Sequence, residues 1–177
     1  MTKIIIILGG LTLPFMSAMA SDGTIAFVGN VVDQTCSVKT GADNLTVILP
    51  TVSKAALDTA AKTAALTPFS IQLTGCNSGG STGAQKVKAY FEPNATTDFT
   101  TGNLTNTGTA TNVQVQLLNQ DGTTPIKLGQ DFSTQNVTAT AIDAADVTLR
   151  YTAQYYATGV AGAGDVKTTV NYTITYE

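Results

Sequence analysis

The last twelve residues alternate without a break. Val166, Thr168, Val170, Tyr172, Ile174 and Tyr176 fall on one parity, and Lys167, Thr169, Asn171, Thr173, Thr175 and Glu177 on the other. A β-strand turns successive side chains to opposite faces, so this spacing predicts a terminal strand with one face on a core and the other toward solvent. A core strand at which the chain stops has no later strand to cover its edge, and an uncovered edge is a template for another chain. The expected occupant is a second copy of this protein.

The opposite end reads as a secretory signal over residues 1–20. Lys3 supplies a positive start, Ile4 to Leu13 an apolar stretch too short to span a bilayer, and Ala18-Met19-Ala20 a small-residue cleavage site. Cleavage after Ala20 leaves 157 of the 177 residues, enough for one domain with a real core. Losing Lys3 leaves eight basic against twelve acidic side chains, a net charge of −4 that argues against nucleic acid or an anionic membrane surface as partner. No later segment is long and apolar enough for a membrane span, so no direct membrane insertion is expected.

Catalysis is not expected. The chain has no His, its Asp143, Asp146 and Asp165 form no paired-carboxylate arrangement, and neither a nucleophile elbow nor a P-loop appears. No metal site and no cofactor are expected either. Two cysteines, Cys36 and Cys76, stand forty positions apart in an exported chain, which predicts a structural disulfide. In the chain-entropy picture a loop of that length stabilises by about 4 kcal/mol.

Between the ends, short alternating runs recur between Gly, Asn, Asp and Ser clusters, the pattern of an all-β sandwich. They are Ile25-Phe27-Gly29-Val31; Leu45-Val47-Leu49, ended by Pro50; Phe69-Ile71-Leu73; Val87-Ala89-Phe91; Val113-Val115-Leu117; and Val147 to Tyr155. Asp121-Gly122 predicts the turn of a hairpin leading to Ile126 and Leu128, with Gln114 and Gln116 on its polar face. The segment Ser53–Leu66, rich in Ala and opened by a capping Ser, predicts a helical crossover of one to three turns. Gly159 to Gly164 reads as a loop.

Taken in order, these segments resemble the major structural subunits of chaperone–usher pili, the type 1 fimbrial pilin family. The similarity covers essentially the whole chain. It is carried by Gly23-Thr24-Ile25-Ala26-Phe27-Val28-Gly29-Asn30-Val31-Val32 ahead of Cys36, by Thr67-Pro68-Phe69-Ser70-Ile71-Gln72-Leu73 ahead of Cys76, and by Tyr151 to Gly159. Its most specific part is the end, with Gly164 fourteenth from the C-terminus and Tyr176 penultimate.

The resemblance implies an incomplete immunoglobulin-like β-sandwich lacking its last strand. It divides the chain into a signal peptide (1–20), an N-terminal donor-strand extension (21–32) and a pilin domain (33–177). A neighbouring subunit or a periplasmic chaperone supplies the missing strand, the latter also holding the carboxylate of Glu177, and an outer-membrane usher exchanges one for the other. Ile25, Phe27 and Val31 are the expected donor knobs, with Gly29 where the neighbour's pocket has no room. A one-residue slip would expose Ile25 and Phe27 and bury Asn30, so register is expected to be firm. The expected acceptor and chaperone-binding strand comprises Gly164, Val166, Thr168, Val170, Tyr172, Ile174, Tyr176 and Glu177. The implied function is a head-to-tail homopolymer forming the shaft of an adhesive fimbrium, secreted through the periplasm to the cell surface. Two alternatives stand beside it: a minor or adaptor pilin, and a monomeric secreted sandwich that binds glycan or protein.

Overall fold

The computed structural model describes residues 25–29, 31, 36–40, 44–77 and 83–177. The expected signal sequence, the extension's residues 21–24, 30 and 32, and residues 33–35 lie outside these. The chain forms two compact units, Met1–Val31 and Val32–Glu177. In the first, the described residues carry no strand, and their apolar side chains are exposed, Ile25 by 79% and Phe27 by 91%.

The second unit is a β-sandwich. Its strands are β1 (Ser37–Val38), β2 (Thr63–Thr74), β3 (Lys86–Glu92), β4 (Thr97–Asp98), β5 (Asn103–Thr105), β6 (Val113–Asn119), β7 (Thr140–Ala141), β8 (Val147–Ala157) and β9 (Asn171–Tyr176). One sheet has the order β1-β2-β8-β6-β5-β4 and the other β7-β3-β9, and every pairing is antiparallel. β8 is the spine of the larger sheet. It places Leu149 opposite Ile71 and Tyr151 opposite Phe69 on one side, and Ala153 opposite Leu117 on the other.

The two inner faces meet in a core of Ile71, Leu73, Val87, Ala89, Phe91, Leu117, Leu149 and Tyr151. Phe91 meets the Tyr151 ring edge-on at 5.2 Å, and the Tyr151 hydroxyl accepts the Ala89 N–H at 3.1 Å, so one side chain joins the sheets by both packing and a hydrogen bond. Gln135, wholly buried, accepts the N–H of Phe91 and donates to its carbonyl, standing in for a strand beside β3 where short β7 does not reach. The expected disulfide joins Cys36 to Cys76, tying the entry of β1 to the exit of β2.

Several expectations need correction. The crossover is a single 3-10 turn, Lys54–Leu57, capped by Ser53, whose hydroxyl accepts the Ala55 N–H. Ala-rich composition loses to β8, which draws Thr63–Leu66 into β2 through a bulge between Ala64 and Thr67. The Asp121-Gly122 turn forms, but its returning arm holds one isolated bridge, Leu118 with Pro125, rather than a strand. Gln114 does not face solvent: it is buried, donating to Asp98 and accepting from Asn103 and Thr101. Leu45–Leu49 is extended without a ladder, and the terminal strand begins at Asn171 rather than Val166.

Burial pushes the Tyr151 phenol up to about 12, against a smaller lowering by the Ala89 N–H. A raised folded-state pKa means the stabilisation is complete below pH 10 and lost as pH rises through about 12. Hydrogen bonds hold three carboxylates down: from Thr124 to Asp121, which falls to about 2, from the Thr100 N–H to Asp98, and from Ser133 to Asp131. The Asp121 contribution is present above pH 4 and lost as pH falls toward 2, and those of Asp98 and Asp131 are likewise lost on the acid side. With no His to titrate between, denaturant midpoints should form a plateau from about pH 5 to 9 and fall on both sides. The alkaline fall should shrink in Tyr151→Phe.

Candidate strand-accepting groove

Between the sheets the sandwich is open along one side. A cleft of about 1080 Å³ runs there, with residues 44–49 as one wall and 166–172 as the other. Phe69, Ile71, Phe91, Val115, Leu117 and Ala153 form an apolar floor. The walls obey the alternation of the sequence. Residues 44–49 line one, with Val47 and Leu49 half-buried and Ile48 82% exposed.

On the other wall, Val166, Thr168, Val170, Tyr172, Ile174 and Tyr176 are all half-buried, while Lys167, Thr169, Asn171 and Thr173 are exposed. The expected parity holds, but none of the six reaches full burial. Completing it requires atoms that the open cleft does not supply.

Main-chain hydrogen bonds sharpen this. The carbonyls of Asp165, Lys167 and Thr169 accept bonds from Ala110, Thr107, Asn94 and Thr96, and the N–H groups of Asp165 and Lys167 donate to Thr109 and Asn106. Odd-numbered residues therefore spend their backbone on the 94–110 side. In an extended chain the even-numbered residues point the other way, into the cleft. Among the described residues, nothing bonds to the N–H or C=O of Val166, Thr168 or Val170, nor to the backbone of the facing wall, residues 45–49. Two unpaired main-chain edges thus face one cleft. The Thr168 hydroxyl is likewise buried without a partner among the described residues.

Beyond the cleft the terminal strand is clasped internally. Phe91, Ala89 and Val87 of β3 pair with Tyr172, Ile174 and Tyr176. The Tyr176 hydroxyl accepts the Cys36 N–H at 3.1 Å, attaching the penultimate residue to the disulfide. Glu177 accepts the N–H groups of Gln85 and Lys86 on its main-chain oxygen, and its side chain pairs with the Lys88 ammonium, which is 8% exposed. Lys88 was not legible as a site residue, because its partner lies eighty-nine positions away. At the other end Gly164 lines a second cavity, of about 350 Å³, that shares Tyr155 and Val166 with the cleft. A Cβ on Gly164 would stand 2.4 Å from the Ala110 nitrogen, so the loop passes Thr109–Ala110 too closely for any side chain. The donor residues Ile25, Phe27, Gly29 and Val31 belong to the other unit. Among the described residues no group of His, Cys, Asp or Glu is arranged to hold a metal ion.

The profile of the type-1 fimbrial protein A family matches residues 49–177. The chain is 62% identical over its whole length to the F17 fimbrial protein of Escherichia coli, of which the match also covers 100%. It is 45% identical over 91% of its length to the major fimbrial subunit SMF-1 of Stenotrophomonas maltophilia, covering 96% of that protein. A subunit in a chaperone–usher pilus structure, 20% identical, superposes over 95% of this chain and 100% of its own with a TM-score of 0.65. The P pilus rod subunit PapA, 18% identical, covers 80% of this chain and 99% of its own at 0.61. The chain belongs to the type-1 fimbrial protein family, with its incomplete immunoglobulin-like sandwich. It is a structural subunit of a fimbria.

The buried Lys88 makes the clasp testable. Glu177→Gln strands a nearly buried cation and should cost about 1–3 kcal/mol, less than a fully buried pair because Glu177 is 43% exposed. Adding Lys88→Met to that variant should recover most of the loss, as read by denaturant titration of the subunit.

Proposed function

We propose that this subunit polymerises head-to-tail by donor-strand exchange, the extension of one copy filling the cleft of the next. The carrying observation is the bare edge of Val166, Thr168 and Val170 beside an apolar floor. Ile25, Phe27 and Val31 supply exposed apolar knobs at the two-residue spacing such a floor requires. Each large knob buried is worth about 1.5–3 kcal/mol before ordering costs, and the main-chain bonds add register. Donor and acceptor are different surfaces, so the contact does not close on itself and a filament results.

An open apolar cleft is an aggregation hazard during export, and a periplasmic chaperone lending a strand along Val166–Tyr176 and binding the carboxylate of Glu177 meets that hazard. An outer-membrane usher then exchanges the lent strand for the extension of the next subunit, and the shaft grows at the cell surface.

Gly29 supplies the test. A Cβ there meets nothing within 4 Å in the subunit, so Gly29→Leu should leave the domain's unfolding midpoint unchanged. It should nevertheless abolish or strongly reduce fibre yield, as should deletion of residues 21–32. Wild-type fibre yield from Gly29→Leu would contradict the assignment of Gly29 to a tight pocket.

A further inference from the structure

The terminal wall of the cleft is held in place from behind, and mostly by side chains. β9 begins at Asn171, so residues 165–170 lie outside any ladder, and the bonds to their odd-numbered backbone groups are what fix them. Among the described residues, Thr107 and Ala110 contribute main-chain N–H groups to that row, at 2.8 and 3.0 Å. The other bonds come from the side chains of Asn94, Thr96, Asn106, Thr107 and Thr109. Where a neighbouring strand would offer its backbone, two asparagines stand in for it.

Asn106 uses all that its amide can offer. Its Oδ1 accepts the N–H of Gly108 at 2.8 Å and of Lys167 at 2.7 Å, while its Nδ2 donates to the carbonyls of Ala110 at 2.8 Å and Asp165 at 3.1 Å. Half of that capacity closes its own loop and half grips the wall. Asn94 repeats the plan further along. Its Oδ1 accepts the Thr96 N–H at 3.0 Å, and its Nδ2 donates at 3.0 Å to the Thr169 carbonyl, which the Thr96 hydroxyl also meets at 2.7 Å. Gly108 permits the close approach. A Cβ there would stand 2.2 Å from the Asp165 carbonyl oxygen, and since its φ is not left-handed, it is space rather than conformation that requires glycine.

The placement of this wall governs what the cleft can accept. A strand laid beside it needs the wall's backbone about 4.8 Å away, and its main-chain bonds form only over about 2.7–3.2 Å. A wall displaced by an ångström would still line an apolar cleft but would lose the bonds at Val166, Thr168 and Val170. We infer that Asn94 and Asn106 are positioning residues for strand exchange, acting from the outer side of the wall to hold those backbone groups where an incoming strand can pair with them. This rests on the donor-strand reading above and adds the residues that make the acceptor competent.

The test uses the full exported chain. The Asn94→Asp/Asn106→Asp variant keeps both Oδ1 acceptors, and so both loops, but removes the amide donors to Thr169 and Asp165. Gly108→Ala removes no bond and pushes on Asp165 instead. In either variant, amide exchange at Asp165 and Lys167 should rise roughly tenfold, while exchange at Ala89 and Phe91, bonded to Tyr151 and Gln135 in the core, stays unchanged. Fibre growth should slow by roughly tenfold or more. Each variant keeps its extension, so mixed with unsubstituted chain it should donate but scarcely accept, and mean fibre length should fall as its share rises. Growth at the unsubstituted rate in both variants overturns the assignment. So does core exchange that rises together with that of the wall, which marks a general loss of structure. Should the double variant fail to fold, Gly108→Ala alone decides by the same two readings. Fibres from a chain lacking residues 21–32 would instead sink the donor-strand reading itself, and this assignment with it.

Discussion

Everything distinctive about this molecule depends on how one extended segment, 165–170, spends its hydrogen bonds. Its odd-numbered backbone groups are taken by the 94–110 loops, and its even-numbered ones face an open cleft. A backbone edge beside an apolar floor is an unfavourable place to stop folding, since unpaired main-chain groups and exposed apolar surface both have a cost. The subunit is folded yet unfinished.

The rest of the sandwich shows that this is a local property rather than loose construction. β3, at an equally vulnerable place, has its edge completed by Gln135 and by the Tyr151 hydroxyl. The C-terminal end of β9 is secured three ways: by its ladder with β3, by Tyr176 on Cys36, and by Glu177 on Lys86 and Lys88. Pinning the end of the strand beyond the cleft keeps its bare portion straight and in place. A rigid edge limits the ordering an incoming strand must impose, so more of the interaction energy remains as binding.

Much of this was legible in the residues. Period-two alternation identified the five long strands β2, β3, β6, β8 and β9, because a sandwich core samples one face of each strand, while the two- and three-residue strands β1, β4, β5 and β7 are too short to show a period. Where the reading failed, a distant partner had overridden a local preference. Ser53–Leu66 has helical composition, yet β8 claims its last four residues, Thr63–Leu66. Gln114 sits on a polar parity, yet Asp98, Thr101 and Asn103 close over it. Lys88 gave no signal because its anion is the last residue of the chain.

Alternation along the chain, the cysteine spacing and the order of the segments were enough to indicate an all-β sandwich and the fimbrial family resemblance. Each is a property of near neighbours along the chain, which periodicity records directly. The tertiary structure decided the rest: which edge is bare, that residues 44–49 form the facing wall, and that the Thr168 hydroxyl is buried without a partner among the described residues. Those depend on which backbone groups have already found partners dozens of positions away, and one-dimensional order does not contain that pairing.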